Sequence, residues 1–293
     1  MSLRIGSMVV VLIGGCLAVG VASDIADCPA QTYFGQKPPG VMPELFAPGI
    51  ISDAGYRLHG MPTFTPDGRE VVWTVVPPQF MYMRLTDSGW TKAEPLPIEG
   101  RGGQGACFSP DGSRLYYQAA YPDGYGSADI WYIERTDSGW SAPVNMGSPP
   151  NSEVLESQPS LTVTGDVYFT GWRDSVGMNR GIYCSEFVDG KYTAPYLLDA
   201  TINTAAIEYT PFISPDGKSL LFASSRPTDV ESDLKLYVSY RDDDGSWGEP
   251  INVNEKMHWE KSARFPSLSP DGKYLFFYSD GAIYWVSAEV LGR

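Results

Sequence analysis

His59, Glu156 and Glu208 share one position in a recurring pattern: each stands three residues before a proline, Pro62, Pro159 and Pro211, and Ala263 holds the same place before Pro266. If those positions converge, an imidazole and two carboxylates line one opening. Neighbouring carboxylates repel each other and recruit a cation or a basic ligand group. Calcium or another hard cation could then act as a structural ion, completed by carbonyl oxygens. Arg264, one position beyond Ala263, would neutralise such a ring and weakens the case for a metal. The same three side chains also offer acid/base groups to a hydrolase or lyase acting on an extracellular polymer. Against that, the chain contains two histidines in all. The other, His258, lies in a long approach to the last repeat and reads as a loop residue with ligand contact as the alternative.

Other chemically suggestive residues have local explanations. Asp67-Gly68, Asp111-Gly112, Asp216-Gly217 and Asp271-Gly272 each follow a proline. Proline fixes φ, aspartate bonds to the following backbone and glycine accepts positive φ, so these are corners rather than catalytic acids. Ser109, Ser214 and Ser269 open three of the corners and lack a Gly-x-Ser-x-Gly setting. No Cys-x-x-Cys pair is present, and Cys107 and Cys184 are expected as small core residues. No cofactor is expected from any motif.

The corners define the elements that must position these side chains. With the degenerate Val163-Thr164-Gly165-Asp166 they form a series of five, whose glycines are 44, 53, 52 and 55 residues apart. Each corner is followed by a hydrophobic strand such as Leu115-Tyr116-Tyr117-Gln118, then by a strand such as Asp129-Ile130-Trp131-Tyr132, then by a Gly turn and a fourth strand such as Trp140 to Asn145. Each unit is a four-stranded antiparallel meander. One meander alone leaves apolar faces wet, so the units stack around an axis with aromatic side chains between them. The last repeat lacks a fourth strand, and Pro43 to Gly49 carries the missing pattern. The expected fold is therefore all-β: a single β-propeller of five blades closed by the N-terminal strand. Six blades is the alternative, with an irregular one within residues 23 to 60.

The x-Pro-Asp-Gly corners, the Asp129-Ile130-Trp131-Tyr132 type of strand and Asn145 and Asn252 after Trp-x-x-Pro resemble the bacterial WD40-like, or PD40, β-propellers related to the propeller of periplasmic TolB. The resemblance covers approximately residues 43 to 287. It implies an envelope setting and a module that binds proteins, senses or scaffolds, or accompanies a catalytic domain. The chain departs from true WD40 repeats in lacking their Gly-His and Trp-Asp pairing.

Residues 1–22 carry one charge, Arg4, before an apolar run from Met8 to Ala22, which reads as an export signal. Cleavage falls either before Cys16, which would be lipidated, or near Ser23. Residues 23–42 are then expected to be a linker and 43–293 the propeller. The formal charge of −14 excludes nucleic acid and anionic lipid as partners and favours cationic ones. Membrane attachment is expected only through an N-terminal lipid. The expected function is thus an exported, noncatalytic binding or scaffold module of the periplasm or cell envelope that recognises a protein, peptide or glycan. A polymer-directed hydrolase or lyase and a purely structural lipoprotein are the alternatives. Candidate contacts are the loops Arg101 to Gln104, Tyr121 to Gly126, Arg173 to Arg180 and Pro227 to Ser232. Tyr121, Tyr125 and Trp259 are the loop aromatics able to form a platform.

Overall fold

Alternating apolar and polar residues between glycine corners favour short antiparallel strands, and the chain folds accordingly. The computed structural model describes residues 32–52, 54–98, 102–172, 180–227 and 233–292. They form five blades. The second runs from an inner strand, Gln104–Phe108, through Arg114–Ala119 and Asp129–Thr136 to an outer edge made of Gly139–Trp140 and Val144–Asn145. Glu156–Leu161, Glu208–Ile213 and Arg264–Leu268 are the inner strands of blades three, four and five. In the first blade the inner strand is split into Arg57–Leu58 and Thr63–Phe64. Glu44–Leu45 pairs antiparallel with Ala282–Ser287, Glu44 opposite Trp285, so the ring is closed by the N-terminal strand as expected.

Aromatic packing explains why closure holds. Phe46 is fully buried among Phe64, Phe276 and Trp285, with ring centroids 6.3, 4.8 and 5.2 Å away. Residues 32–42, the described part of the stretch read as a linker, also lie against the propeller. Tyr33 packs on Tyr274 and Trp285, Phe34 on Trp90, and Ser287 donates to the Gly40 carbonyl. Residues 1–31, including Cys16 and the export segment, lie outside the described residues. Among the described residues no helix is long and apolar enough to cross a membrane.

The corners are held by their own side chains. In four of them a hydroxyl donates to the aspartate two residues on, at 2.5 Å from Thr65 to Asp67 and 2.6 Å from Ser109, Ser214 and Ser269 to Asp111, Asp216 and Asp271. The same carboxylates accept a backbone N–H from the far side of the turn. These donors hold the Asp111 and Asp216 carboxyls below the usual carboxylate range, the serine hydroxyls contributing most. Gly217, at φ 71°, sits where an L side chain is strained.

A bulge occurs near the start of four inner strands, at Gly105, Gln158, Thr210 and Phe265, all in the left-handed region. A bulged residue drops out of its own ladder and its N–H needs another partner. Thr210 donates to Thr170 Oγ1 on the third blade (2.9 Å), and Phe265 donates to Thr210 Oγ1 on the fourth (3.1 Å). Nearer the corners, Phe108 donates to Thr63 Oγ1 and Ile213 to Ser160 Oγ. The axis is therefore knit by hydrogen bonds between blades. Among the bulged residues the axis encloses a space of about 60 Å³, between Met61, Gly105, Gln158, Thr210 and Phe265.

Candidate functional site

The glutamates sit at the end of the inner strands away from the corners, the face that also carries the loop Tyr121 to Gly126. Each is buried, and each is held by the loop leading into its own blade. Glu156 accepts from the Ser152 N–H (3.0 Å) and from the Ser152 hydroxyl. Glu208 accepts from the Thr204 N–H (3.1 Å), the Thr204 hydroxyl (2.7 Å), Ser224 Oγ and Arg226 Nη2 (3.2 Å). The same architecture appears twice, four residues apart each time, because the loop crosses between blades and must turn back into an inner strand. Burial pushes the Glu156 carboxyl up, against the pull of its Ser152 donors.

One residue earlier in the same loops lies an asparagine that sequence reasoning passed over. Asn151 accepts from the Ile130 N–H (2.8 Å) and donates to the Ile130 carbonyl (3.0 Å). Asn203 does the same to Ile182, with a further bond to the Leu198 carbonyl. Asn254 accepts from Leu236 and donates to the Trp259 and Lys261 carbonyls. In the fifth blade Ser52 takes this role against Ile283. The repeated pair Asn151-Ser152 before Glu156 and Asn203-Thr204 before Glu208 was the signal available in the sequence.

His59 differs from the glutamates. Its N–H donates to the Thr74 carbonyl, its ring centroid lies 5.6 Å from that of Phe265, and its Nδ1 is buried without a hydrogen-bond partner. Burial, and then the charge of Arg264, lower its proton affinity. Arg264 stacks over Phe265 and Tyr278, its guanidinium carbon 5.5 and 5.1 Å from their ring centroids. The structure thus brings His59 and Arg264 together around Phe265, while Glu156 and Glu208 each face donors of their own loops. Among the described residues no three His, Cys, Asp or Glu side chains gather as a metal centre. His258 is exposed in the turn after a short helix, Val253–Lys256, its N–H bonded to the Glu255 carbonyl.

Of the loop aromatics, Trp259 packs on Phe277 and Tyr284 and bonds Ser279, and Tyr121 packs on Trp131. Tyr125 is the exposed one, at 54%. Its loop is anchored by buried Asp129, which accepts from the Tyr125 and Gly126 N–H groups and from Asn145. Between the first and second blades this face opens a cleft of about 780 Å³, where Gln104 and Tyr121 meet Pro77, Gln79 and Gln118. Arg101, residues 173–179 and residues 228–232 lie outside the described residues. Cys107 and Cys184 are free thiols, both pushed by burial up to about 11.

No family model matches the chain, and no curated protein matches it. Solved structures do. A protein assigned as TolB from Agrobacterium tumefaciens aligns with a TM-score of 0.51 at 20% identity over 76% of this chain and 70% of that one. The fold is a TolB-like β-propeller. TolB from Acinetobacter baumannii aligns at 19% identity over 76% of this chain, which spans about half, 52%, of that protein's length, with a TM-score of 0.45. An endo-arabinase from Bacteroides thetaiotaomicron aligns with a TM-score of 0.56 at 15% identity, over 80% of this chain and 95% of that one. A propeller shared at such identities is a scaffold on which unrelated sites are built, so the TolB-like fold by itself leaves the site to be argued from its residues.

Proposed function

We propose that the chain is an exported, noncatalytic interaction propeller of the cell envelope, recognising a protein, peptide or glycan on the face that carries the Tyr121 to Gly126 loop. One observation carries this reading: Glu156 and Glu208, the carboxylates best placed for chemistry at the axis, already accept hydrogen bonds from Ser152, Thr204, Ser224 and Arg226. A general acid or base needs an unoccupied face toward a substrate. The likeness to an endo-arabinase is one of fold, and polymer hydrolysis would need those carboxylates released. Supporting the binding reading, the TolB-like fold presents a cleft of about 780 Å³ lined by Tyr121, in the loop that also exposes Tyr125. Clefts of that size between rigid elements are common ligand seats. Within this proposal residues 1–22 direct export, with Cys16 as the alternative lipidation point, and residues 43–293 form the binding domain.

Immobilised protein comprising residues 23–293 is the reagent for the test, presented with envelope extract at low and high salt. Capture of a partner that is lost on Tyr125→Ala and Gln104→Ala supports the proposal. Empty eluates at every salt concentration, or hydrolysis of a polysaccharide panel abolished by a Glu208→Gln variant that remains folded, overturn it.

A further inference from the structure

On the loop face, Arg226 is paired with Glu208, whereas Arg264 has no such partner among the described residues. The Arg264 guanidinium makes neither an ion pair nor a hydrogen bond with any described residue; it lies over Phe265 and Tyr278. Across the Phe265 ring stands His59, with Nδ1 buried and unpartnered. A guanidinium held flat on aromatic rings keeps its N–H edge available for a carboxylate, which it grips bidentately.

We infer that Arg264 and His59 form an anion-accepting mouth that takes a carboxylate of an extended peptide segment of the partner. This rests on the binding function proposed above and names the chemistry its axial end recognises. The adjoining stretch of the channel, lined by Phe265, holds a space of about 60 Å³. A carboxylate on a slender stem, an acidic side chain or a chain terminus, is small enough to reach toward it. A uronate, whose carboxylate is fixed to a sugar ring, brings its bulk to the rim.

The test uses the two histidines as reporters. Nuclear magnetic resonance titration of the protein lacking residues 1–22 follows His59 and His258 as acetylated hexapeptides are added: one with a free terminal carboxylate, its amidated twin, and an amidated peptide carrying a single Glu or Gln. Galacturonate oligomers and inorganic phosphate are the competing probes. Expected is a selective rise in the His59 titration midpoint with the carboxylate-bearing peptides, His258 unmoved. Binding should weaken about tenfold or more in Arg264→Gln, with partial recovery in Arg264→Lys, since charge-assisted fork contacts are the strong class. Equal binding of the amidated and Gln peptides, unchanged affinity in folded Arg264→Gln, or tighter binding of galacturonate or phosphate than of every peptide would overturn the inference. If extract capture persists in Arg264→Gln, the interaction function stands and the mouth assignment falls. If capture fails in the wild type as well, the functional reading itself falls.

Discussion

Glu208 decides between a structural and a chemical use of the axis. It is fully buried, its partner Arg226 is 18% exposed, and their oxygen and nitrogen lie 3.2 Å apart. Glu208→Ala leaves the guanidinium facing a void and frees the Thr204 N–H, the Thr204 hydroxyl and Ser224 Oγ from an acceptor. Breaking one side of a buried pair costs about 3–5 kcal/mol. For a domain of this size that corresponds to a loss of about 6–20 °C in melting temperature. Glu208→Gln keeps the volume and one carbonyl oxygen for Thr204 and forfeits the charge facing Arg226, so its cost should be about 1–3 kcal/mol. Urea unfolding followed by tryptophan fluorescence reads both, and the ordering wild type, Gln, Ala in midpoint with an unchanged slope is the expected result. An Ala variant that melts within about 2 °C of the wild type would refute the reasoning, because the carboxylate would then be held for something other than the fold. If that variant also lost an activity, the enzyme reading would replace the one argued here.

Three further outcomes follow from the same geometry. Asn203→Ala removes the bonds to Ile182 and Leu198 and leaves the Ile182 N–H buried without its acceptor, which should cost about 1–3 kcal/mol in chemical denaturation, whereas Asn203→Ser, the residue type that Ser52 supplies in the fifth blade, should recover part of it. Gly217→Val places a β-branched residue at φ 71° with its Cβ 3.5 Å from the Thr162 methyl, so strain of about 1–3 kcal/mol should appear in the melting temperature. His59 has a folded-state proton affinity below its ordinary 6.5; its share of stability is complete above that pH and is lost as pH falls from 6.5 through the folded value. Comparing unfolding midpoints at pH 8 and pH 5, His59→Gln should lose less stability than the wild type over that interval, and equal losses would contradict the burial argument.

What the sequence made legible was local. Four corners keep their hydroxyl, aspartate and glycine within four residues, Ser109 to Gly112 for example, so type and spacing, with the degenerate third corner, sufficed to count the blades. Closure was legible because Pro43 to Gly49 carries an outer-strand pattern with Phe46 as its aromatic anchor. The partners of Tyr33 and Phe34 are 241 and 56 residues distant in sequence, Tyr274 and Trp90, so nothing in the local composition of residues 23–42 marked them as packed. The glutamates were legible as a repeated position, but their hydrogen-bond state depended on Ser152 and Thr204 four residues earlier, a second repeat that had to be read jointly with the first. The bulges were hidden for another reason. Gln158, Thr210 and Phe265 adopt positive φ without being glycine; for Thr210 and Phe265 a threonine hydroxyl of the preceding blade accepts the N–H that the conformation exposes, while the Gln158 side chain donates to Gln118 of the preceding blade.

That bulge also explains why the mouth differs from the layers below it. Side chains alternate along a strand with period two, and one inserted residue reverses the alternation for everything before it. Below the bulge the inner strands place small hydroxyls and a thiol, Thr63, Cys107, Ser160 and Ser267, beside the channel, where Thr63 and Ser160 bind the neighbouring blade. Above it, the positions before the bulge differ from blade to blade in chemistry: Gln104, Ser157, Tyr209 and Arg264. A layer that must hold five blades in register has little freedom to change with a ligand, whereas the layer above the bulge can change its chemistry without loosening the ring. The recognition proposed at Arg264 and the interblade bond at Ser160 would therefore be separable in this fold, one residue of backbone offset being enough to divide them.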